Sequence, residues 1–180
     1  MLALCNNIQN VQFGYTQSDE ITLVLKDWQT LTTDQWFGGN VQKIVSISAA
    51  MATAYFNYYY AIEFNNNQTY SSDLAFFDSR TFNLPIEEVT NNLIWRQQDA
   101  TRNSVQMLGQ FYFSHNELHK KNVSQIQDKL MEDYNINWNN LPTWMKRGSS
   151  VYKTEKQGFV IDDEIPIFTQ DRNFIDRFIL

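Results

Sequence analysis

The sequence is poor in cysteine, histidine and glycine, with one, two and six of these residues among 180. The single Cys5 excludes an internal disulfide and a cysteine-rich zinc site, and it favours a reduced, cytoplasmic protein. His115 and His119 have the i, i+4 spacing of a zinc-binding helix, but no glutamate directly follows His115 as the metalloprotease pattern requires, so we interpret both as surface residues. The glycines form neither a phosphate-binding loop nor a nucleophile elbow.

Long apolar runs and basic residues are also scarce. The most apolar segment, 44–62, is interrupted by polar residues, so we expect no membrane span. Acidic residues outnumber basic ones by 20 to 14, and the net charge of −6 argues weakly against nucleic-acid binding. The charge is uneven, because residues 80–153 carry nine Lys/Arg and seven Asp/Glu. Such a mildly basic middle is compatible with a local patch for a polyanion, although ordinary solvated charge explains it better on its own.

What the sequence does have is a large apolar fraction, 43%, with 15% aromatic residues, which suits one folded domain over residues 1–180. The periodicity of apolar residues and the turn and capping residues predict its elements. They are, in order, a hairpin of 11–15 and 21–25, a long, largely buried helix over 41–60, a loop at 65–68, a strand over 74–77, a helix from 85 to about 113, a helix over 123–133, a polar-aromatic loop over 135–144, a hairpin of 149–154 and 158–161, and a helix over 172–179. Strands joined by hairpins and mixed with helices predict an α+β fold with a largely antiparallel sheet.

The tip of the first hairpin, residues 17–20, is the strongest candidate for chemistry. Phosphoryl transfer requires Mg²⁺ that bridges phosphate oxygens and a rigid carboxylate that holds the ion. Because Mg²⁺ keeps several waters, one or two carboxylates suffice, and Asp19 on a rigid hairpin suits that role. Ser18 and Asp19 are also ordinary turn residues, and the pattern alone favours that simpler interpretation.

Other polar side chains could meet a phosphate or a nucleotide. Lys43, early in the first long helix, and Arg80, after the predicted strand, could contact a triphosphate, although each alone is more simply a surface cation. Arg96, Asp99 and Asn103 follow at spacings of three and four residues, so they share one helix face. Three interpretations are open. The face contacts a ligand, it forms a buried hydrogen-bond network, or its Arg–Asp pair only stiffens the helix.

The loop over 135–144 combines amides with two indoles, and a basic pair follows it. Asn135 and Asn137 lie within the loop, and Lys146 and Arg147 come directly after it. Amide hydrogen bonds and indole stacking could recognise a nucleotide or RNA. The alternative is a capped loop that is anchored by buried tryptophans.

Five segments together resemble, in order, the motifs of the tRNA-His guanylyltransferase family. They are GYTQSDE at 14–20, the helix around Lys43, FDSR at 77–80, WRQQD at 95–99 and NINWNNLP at 135–142. The match covers nearly the whole chain, and five ordered motifs are far more specific than any single one. The resemblance therefore outweighs the simpler interpretation of each segment taken alone.

This resemblance implies a palm-type, ferredoxin-like sheet in a Mg²⁺-dependent enzyme that adds nucleotides from GTP, ATP and other NTPs to the 5′ end of tRNA, in the 3′-to-5′ direction. It implies two Mg²⁺ ions and a catalytic role for Asp19 and Glu20, with Asp19 as the metal ligand. Ser18, Lys43 and Arg80 would bind the nucleotide. The nucleotide or RNA site would be lined by Arg96, Asp99, Asn103, Asn135, Asn137, Lys146 and Arg147. Relatives are typically tetramers, so we expect a homo-oligomer.

The chain departs from the family pattern in two places. The family's first metal-binding aspartate lies on a strand upstream of the hairpin, and residues 1–10 resemble the end of the helix that follows that strand. We therefore expect a partial domain, in which residues 1–113 are most of the palm core and 114–180 add a helix, a loop and a hairpin. The segment after Asp99 resembles the bacterial and archaeal branch, which is associated with repair of 5′-truncated tRNA.

Two alternatives remain open. The first is a non-catalytic remnant that binds RNA or nucleotides, and the missing first metal-binding strand motivates it. Another palm-fold enzyme, such as a nucleotidyl cyclase, would share the sheet, but the segments at 95–99 and 135–142 argue against it.

Overall fold

The structure is a computed structural model, and it describes residues 1–64 and 74–180. Four strands form one antiparallel sheet in the order β2-β1-β3-β4, where β1 is Val11–Gln17, β2 is Glu20–Leu25, β3 is Ser149–Thr154 and β4 is Gly158–Asp162. The helices of the described ranges are α1 Leu2–Asn7, α2 Val41–Phe64, α3 Ile86–Tyr112, α4 His115–Leu118, α5 Val123–Tyr134, α6 Thr143–Arg147 and α7 Asn173–Ile179. The α+β fold, the antiparallel sheet and both predicted hairpins are confirmed.

Side-chain alternation along the strands divides the core into two halves. On one face of the sheet, Phe13, Tyr15 and Tyr152 pack against residues of α3 and α7. On the other face, Leu23 and Val151 pack against α1 and α2. Strand β1 is therefore covered on both faces and paired at both edges, so the position of its end, which leads into the hairpin tip, is well determined.

A buried amide fixes α3 over the first face of the sheet. Gln97 is 4% exposed, and its side chain donates to the carbonyl oxygen of Pro166 at 2.9 Å and accepts from the N–H of Phe168 at 2.8 Å. Because both ends of the amide are satisfied, its burial does not leave an unpaired polar group. The two bonds hold Phe168 against Tyr15, with ring centroids 5.6 Å apart.

A glycine allows α1 to approach the second face. A Cβ at Gly14, in the middle of β1, would lie 3.0 Å from Sγ of Cys5 and 3.3 Å from Sδ of Met1. A larger residue would displace the helix from the strand.

The prediction that the helix over 41–60 is largely buried is wrong. Only one stripe of α2, which includes Ile44, Met51 and Tyr55, packs against the core, and no residue from 41 to 63 is fully buried. The reason is that α1 and α2 share one face of a four-stranded sheet, so α2 covers only part of it. Neither α2 nor any other described helix is long and apolar enough to cross a membrane.

The predicted strand over 74–77 is also wrong, because this segment pairs with no described strand. Its backbone bonds to side chains of α2 instead. Ala75 exchanges two hydrogen bonds with the amide of Asn57, at 2.8 and 3.0 Å, and the N–H of Phe77 donates to Oγ1 of Thr53 at 3.1 Å. The β-favouring residues of this segment do not by themselves determine whether it pairs with a strand or bonds to a helix.

The region after α3 is more helical than the sequence predicts. Helix α4 was missed, and the predicted loop over 135–144 contains a 3-10 turn at Trp138–Asn140 and the start of α6. Val105 of α3 and Leu130 of α5 lie at the centre of a third apolar cluster beneath these elements. The predicted loop at 65–68 lies outside the described residues.

A substitution at the junction between α6 and β3 can test how closely this junction packs against β1. Gly148 has a φ of 82° and a ψ of −171°, which few residues other than glycine adopt, and an added Cβ would lie 2.3 Å from the carbonyl oxygen of Thr16. We expect Gly148→Ala to lower the free energy of unfolding by about 2–4 kcal/mol in urea denaturation.

The matched control is Gly158→Ala at the start of β4, directly after the turn from β3. Gly158 also has a positive φ, 72°, but no atom lies within 4 Å of an added Cβ. Gly158→Ala should lower the free energy of unfolding by only about 1 kcal/mol. Equal losses in the two variants would show that Gly148 is not in close contact with β1.

Candidate active site

The hairpin tip leaves one of its two carboxylates free. Ser18 and Asp19 connect β1 to β2, with Gln17 paired to Glu20. Ser18 has a φ of 49°, as tight hairpin turns require at such a position. Asp19 is exposed and forms no hydrogen bond or ion pair with any described residue. Its carboxylate is therefore available to a cation.

The other carboxylate, that of Glu20, is bound from two sides. It accepts from the guanidinium of Arg96 and, at 2.9 Å, from the amide of Gln17. Arg96 also donates to Asp99 at 3.2 Å, and its side chain is only 14% exposed. The ring of Trp95 covers the guanidinium, and the Cζ atom of Arg96 lies 4.6 Å from the ring centroid. Water screens the ion pair between Arg96 and Glu20 less than it screens a fully exposed pair. This ion pair therefore holds the hairpin firmly to α3.

Asp99 extends the same network along α3. It accepts from Arg102 at 2.6 Å and from the amide of Asn103 at 3.3 Å. The predicted helix face of Arg96, Asp99 and Asn103 is therefore present. It does more than stiffen the helix, because Arg96 reaches across to Glu20 and joins the face to the hairpin.

A cavity of about 190 Å³ lies between the hairpin tip and α3. It is lined by residues 17–20 of the hairpin and by Asn103, Gln106, Met107 and Gln110 of the helix. The last three of these were missed by the sequence reasoning. They follow Asn103 at spacings of three, four and seven residues, and this helical periodicity is the signal that would have found them.

Helix α6 meets the same end of β1. The hydroxyl of Tyr15 donates to the carbonyl oxygen of Arg147 at 2.6 Å. Burial raises the pKa of this hydroxyl well above its ordinary value, while nearby Arg96 lowers it and Glu20 raises it. The hydroxyl therefore stays protonated near neutral pH and keeps the backbone of Arg147 beside the hairpin strand.

Three other predicted residues take part in local contacts of the loop after α5. The ammonium of Lys146 donates to the carbonyl oxygen of Asn139 at 2.7 Å, and Asn137 accepts from the N–H of Asn139 at 2.9 Å. Asn135 ends α5 in the left-handed conformation, with a φ of 56°. These contacts build a capped loop, from which Asn135 and Asn137 remain exposed.

The two predicted triphosphate ligands lie apart from this network. Arg80 pairs with Asp78 at 3.3 Å, and both side chains are more than four-fifths exposed. The hydroxyls of Ser48 and Ser79 are 2.7 Å apart, which places Arg80 beside the first half of α2, the part that carries Lys43. Neither Lys43 nor Arg80 forms an ion pair or a hydrogen bond with the hairpin tip.

Metal binding at the tip would depend on one carboxylate. Across residues 1–64 and 74–180, no group of three His, Cys, Asp or Glu side chains is arranged to hold an ion. Mg²⁺ retains several waters and needs only one or two protein carboxylates. Asp19, unpaired on a two-residue turn, fits that requirement, whereas Glu20 is occupied by Arg96.

Comparison with known families and solved structures gives one consistent result. The family model described as tRNA-His guanylyltransferase matches residues 1–85. A bacterial tRNA-His guanylyltransferase-like protein in complex with ATP is 43% identical, with a TM-score of 0.89 over 98% of this chain and 74% of the other. A bacterial protein of the same description in complex with GTP is 36% identical, with a TM-score of 0.77 over 98% of this chain and 72% of the other.

A curated relative is also longer than this chain. An uncharacterised protein of Acanthamoeba polyphaga mimivirus is 31% identical over 159 residues, which are 78% of this chain and 54% of that protein. The chain thus spans about half the length of this relative.

The coupling between the hairpin and α3 can be measured directly. We expect Arg96→Met to lower the free energy of unfolding by about 2 kcal/mol, because it leaves two carboxylates without a shared, largely buried partner. Arg102→Met is the matched control, because Arg102 also pairs with Asp99 but is 61% exposed, so its loss should be below about 0.5 kcal/mol. Urea denaturation of both variants gives the comparison, and similar losses would contradict a special role for Arg96.

Proposed function

The chain belongs to the tRNA-His guanylyltransferase-like family, and from this premise we propose that it is a nucleotidyltransferase that adds nucleotides to the 5′ end of tRNA. In this proposal it depends on Mg²⁺, works in the 3′-to-5′ direction and uses ATP, GTP and other nucleoside triphosphates. Repair of 5′-truncated tRNA is the proposed use, and a homo-oligomer the proposed assembly. The bacterial relatives that bind ATP and GTP support the choice of nucleotides.

The observation that carries the proposal is the difference between two adjacent carboxylates. Glu20 is tied to Arg96 and fixes the hairpin, while Asp19 beside it is exposed and unpaired. A free carboxylate on a fixed backbone is what a metal site for phosphoryl transfer requires, because the ion must be positioned within a small tolerance. Mg²⁺ bound there would polarise phosphate oxygens and neutralise their charge.

In the proposed reaction, the nucleotide and the RNA supply the groups that react, and the protein supplies the groups that position them. The 3′-hydroxyl of the incoming nucleotide attacks the 5′ phosphorus of an RNA end that carries an adenylate or a triphosphate, and AMP or pyrophosphate leaves. The protein contributes positioning and charge more than covalent chemistry. Asp19 would hold the metal, and Glu20 would act mainly through the hairpin that it fixes.

The other candidates are assigned by their charge and polarity. Ser18, Lys43 and Arg80 would hold the nucleotide and its triphosphate, since a hydroxyl and two cations suit phosphate oxygens. The wall of α3 and the loop after α5 would contact the nucleotide or the RNA through Arg96, Asp99, Asn103, Asn135, Asn137, Lys146 and Arg147.

A non-catalytic nucleotide- or RNA-binding protein is the second candidate. One observation favours it, namely that only one unpaired carboxylate is found at the tip among the described residues. Such a protein would bind nucleotides without extending RNA.

The enzyme is tested with a 5′-truncated, 5′-monophosphorylated tRNA whose 3′ end is blocked, so that only growth at the 5′ end lengthens it. With ATP, the four NTPs and Mg²⁺, we expect products one or more nucleotides longer, and we expect Asp19→Asn to reduce their rate of formation at least about 100-fold. Asp163→Asn is the control, because Asp163 is an exposed carboxylate after β4 that forms no hydrogen bond or ion pair with a described residue, and it should leave the rate unchanged.

The two candidates give different results in this assay. Nucleotide binding without any extension by the unmodified chain would support the non-catalytic candidate. Full activity of the Asp19→Asn variant would show that Asp19 is not the metal ligand.

A further inference from the structure

The cavity between the hairpin tip and α3 contains amide groups without partners. The side chains of Gln106 and Gln110 form no hydrogen bond with any described residue, and Asn103 uses only its Nδ2, in the bond to Asp99. Two nearby amides are occupied, since Gln97 bonds at both ends inside the core and Gln17 donates to Glu20. The cavity therefore has free donors and acceptors on the α3 side.

These groups are poorly suited to a phosphate. No lysine or arginine is among the described residues that line the cavity, and two of the lining residues, Asp19 and Glu20, are carboxylates. A phosphate oxygen on the α3 side would meet no cation, so a phosphate would bind at the hairpin end, beside Ser18 and the metal that Asp19 would hold. The cavity instead suits an uncharged group that both donates and accepts hydrogen bonds.

A nucleobase also fits poorly. Nucleobase sites usually supply a flat aromatic ring for stacking, and no aromatic side chain lines this cavity in the part of the chain that the structure describes. Its volume of about 190 Å³ is below the roughly 300 Å³ of small-ligand pockets, so it holds only part of a nucleotide. A ribose has the required size and hydroxyl groups.

We propose that this cavity binds the ribose of a nucleotide and that Gln106 and Gln110 select ribose over deoxyribose through its hydroxyls. The proposal rests on the proposed function, because it places the sugar beside the metal that Asp19 would hold. It also leaves the base free to pair with a template, as templated addition of any nucleotide requires. The ribose belongs either to the free nucleoside triphosphate or to the 5′-terminal residue of the RNA.

The test compares affinities for ribose and deoxyribose ligands with Mg²⁺ present, by isothermal titration calorimetry. One arm uses ATP against 2′-deoxy-ATP and 3′-deoxy-ATP, and the other uses a 5′-phosphorylated RNA oligonucleotide against the same RNA with a deoxyribose at its 5′ end. We expect the unmodified chain to prefer the ribose form by about 10-fold in one arm. Gln106→Ala and Gln110→Ala should each reduce that preference to about twofold.

Gln98→Ala is the matched control, because Gln98 is an exposed, unpaired glutamine of the same helix that does not line the cavity. It should keep the full preference. A loss in the first arm assigns the ribose to the free nucleotide, and a loss in the second assigns it to the RNA end. An unchanged preference for the ribose form in both variants would overturn the proposal. Failure of the unmodified chain to bind any of these ligands would contradict the proposed function as well.

Discussion

The contact between Arg96 and Glu20 joins the hairpin to α3, and the arrangement of the candidate groups depends on it. A two-residue hairpin tip that extends beyond a sheet is ordinarily among the most mobile parts of a fold. Here β1 is fixed by pairing at both edges and by packing on both faces. The ion pair between Arg96 and Glu20 also fixes the hairpin tip that follows β1. Asp19 can therefore remain unpaired without becoming loosely positioned.

The segment WRQQD at 95–99 shows how one stretch of helix serves both structure and site. Trp95 covers the guanidinium of Arg96, and Arg96 reaches Glu20 and Asp99. Gln97 points the other way and bonds to the segment at 165–168 inside the core. Because successive residues on a helix are about 100° apart, the motif both anchors α3 to the sheet and presents charge to the hairpin.

The sequence predicted most of the elements, because hairpins and long helices are specified by local periodicity and turn residues. It failed where tertiary partners decide the outcome. The segment at 74–77 bonds to Asn57 and Thr53 of α2, which no local pattern indicates. Within the candidate site, the motif residues of α3 could be named from the sequence, whereas Gln106 and Gln110 were missed, although helical periodicity places them on the face of Asn103. Exposed glutamines are ordinary on a helix, and only the approach of the hairpin gives these two a cavity to line.

The charges around the hairpin explain how an acidic chain could bind a polyanion, as the proposed function requires. Glu20 and Asp99 are neutralised by Arg96 and Arg102, so the carboxylate of Asp19 is the unbalanced charge at the tip. A single free carboxylate attracts a divalent cation, and the bound cation would reverse the local charge that a phosphate meets. Net charge is therefore a poor guide to the substrate of such a protein. What decides the charge that a ligand meets is which carboxylates remain unpaired in the fold. This becomes clear only when the structure shows which carboxylates the arginines of α3 contact.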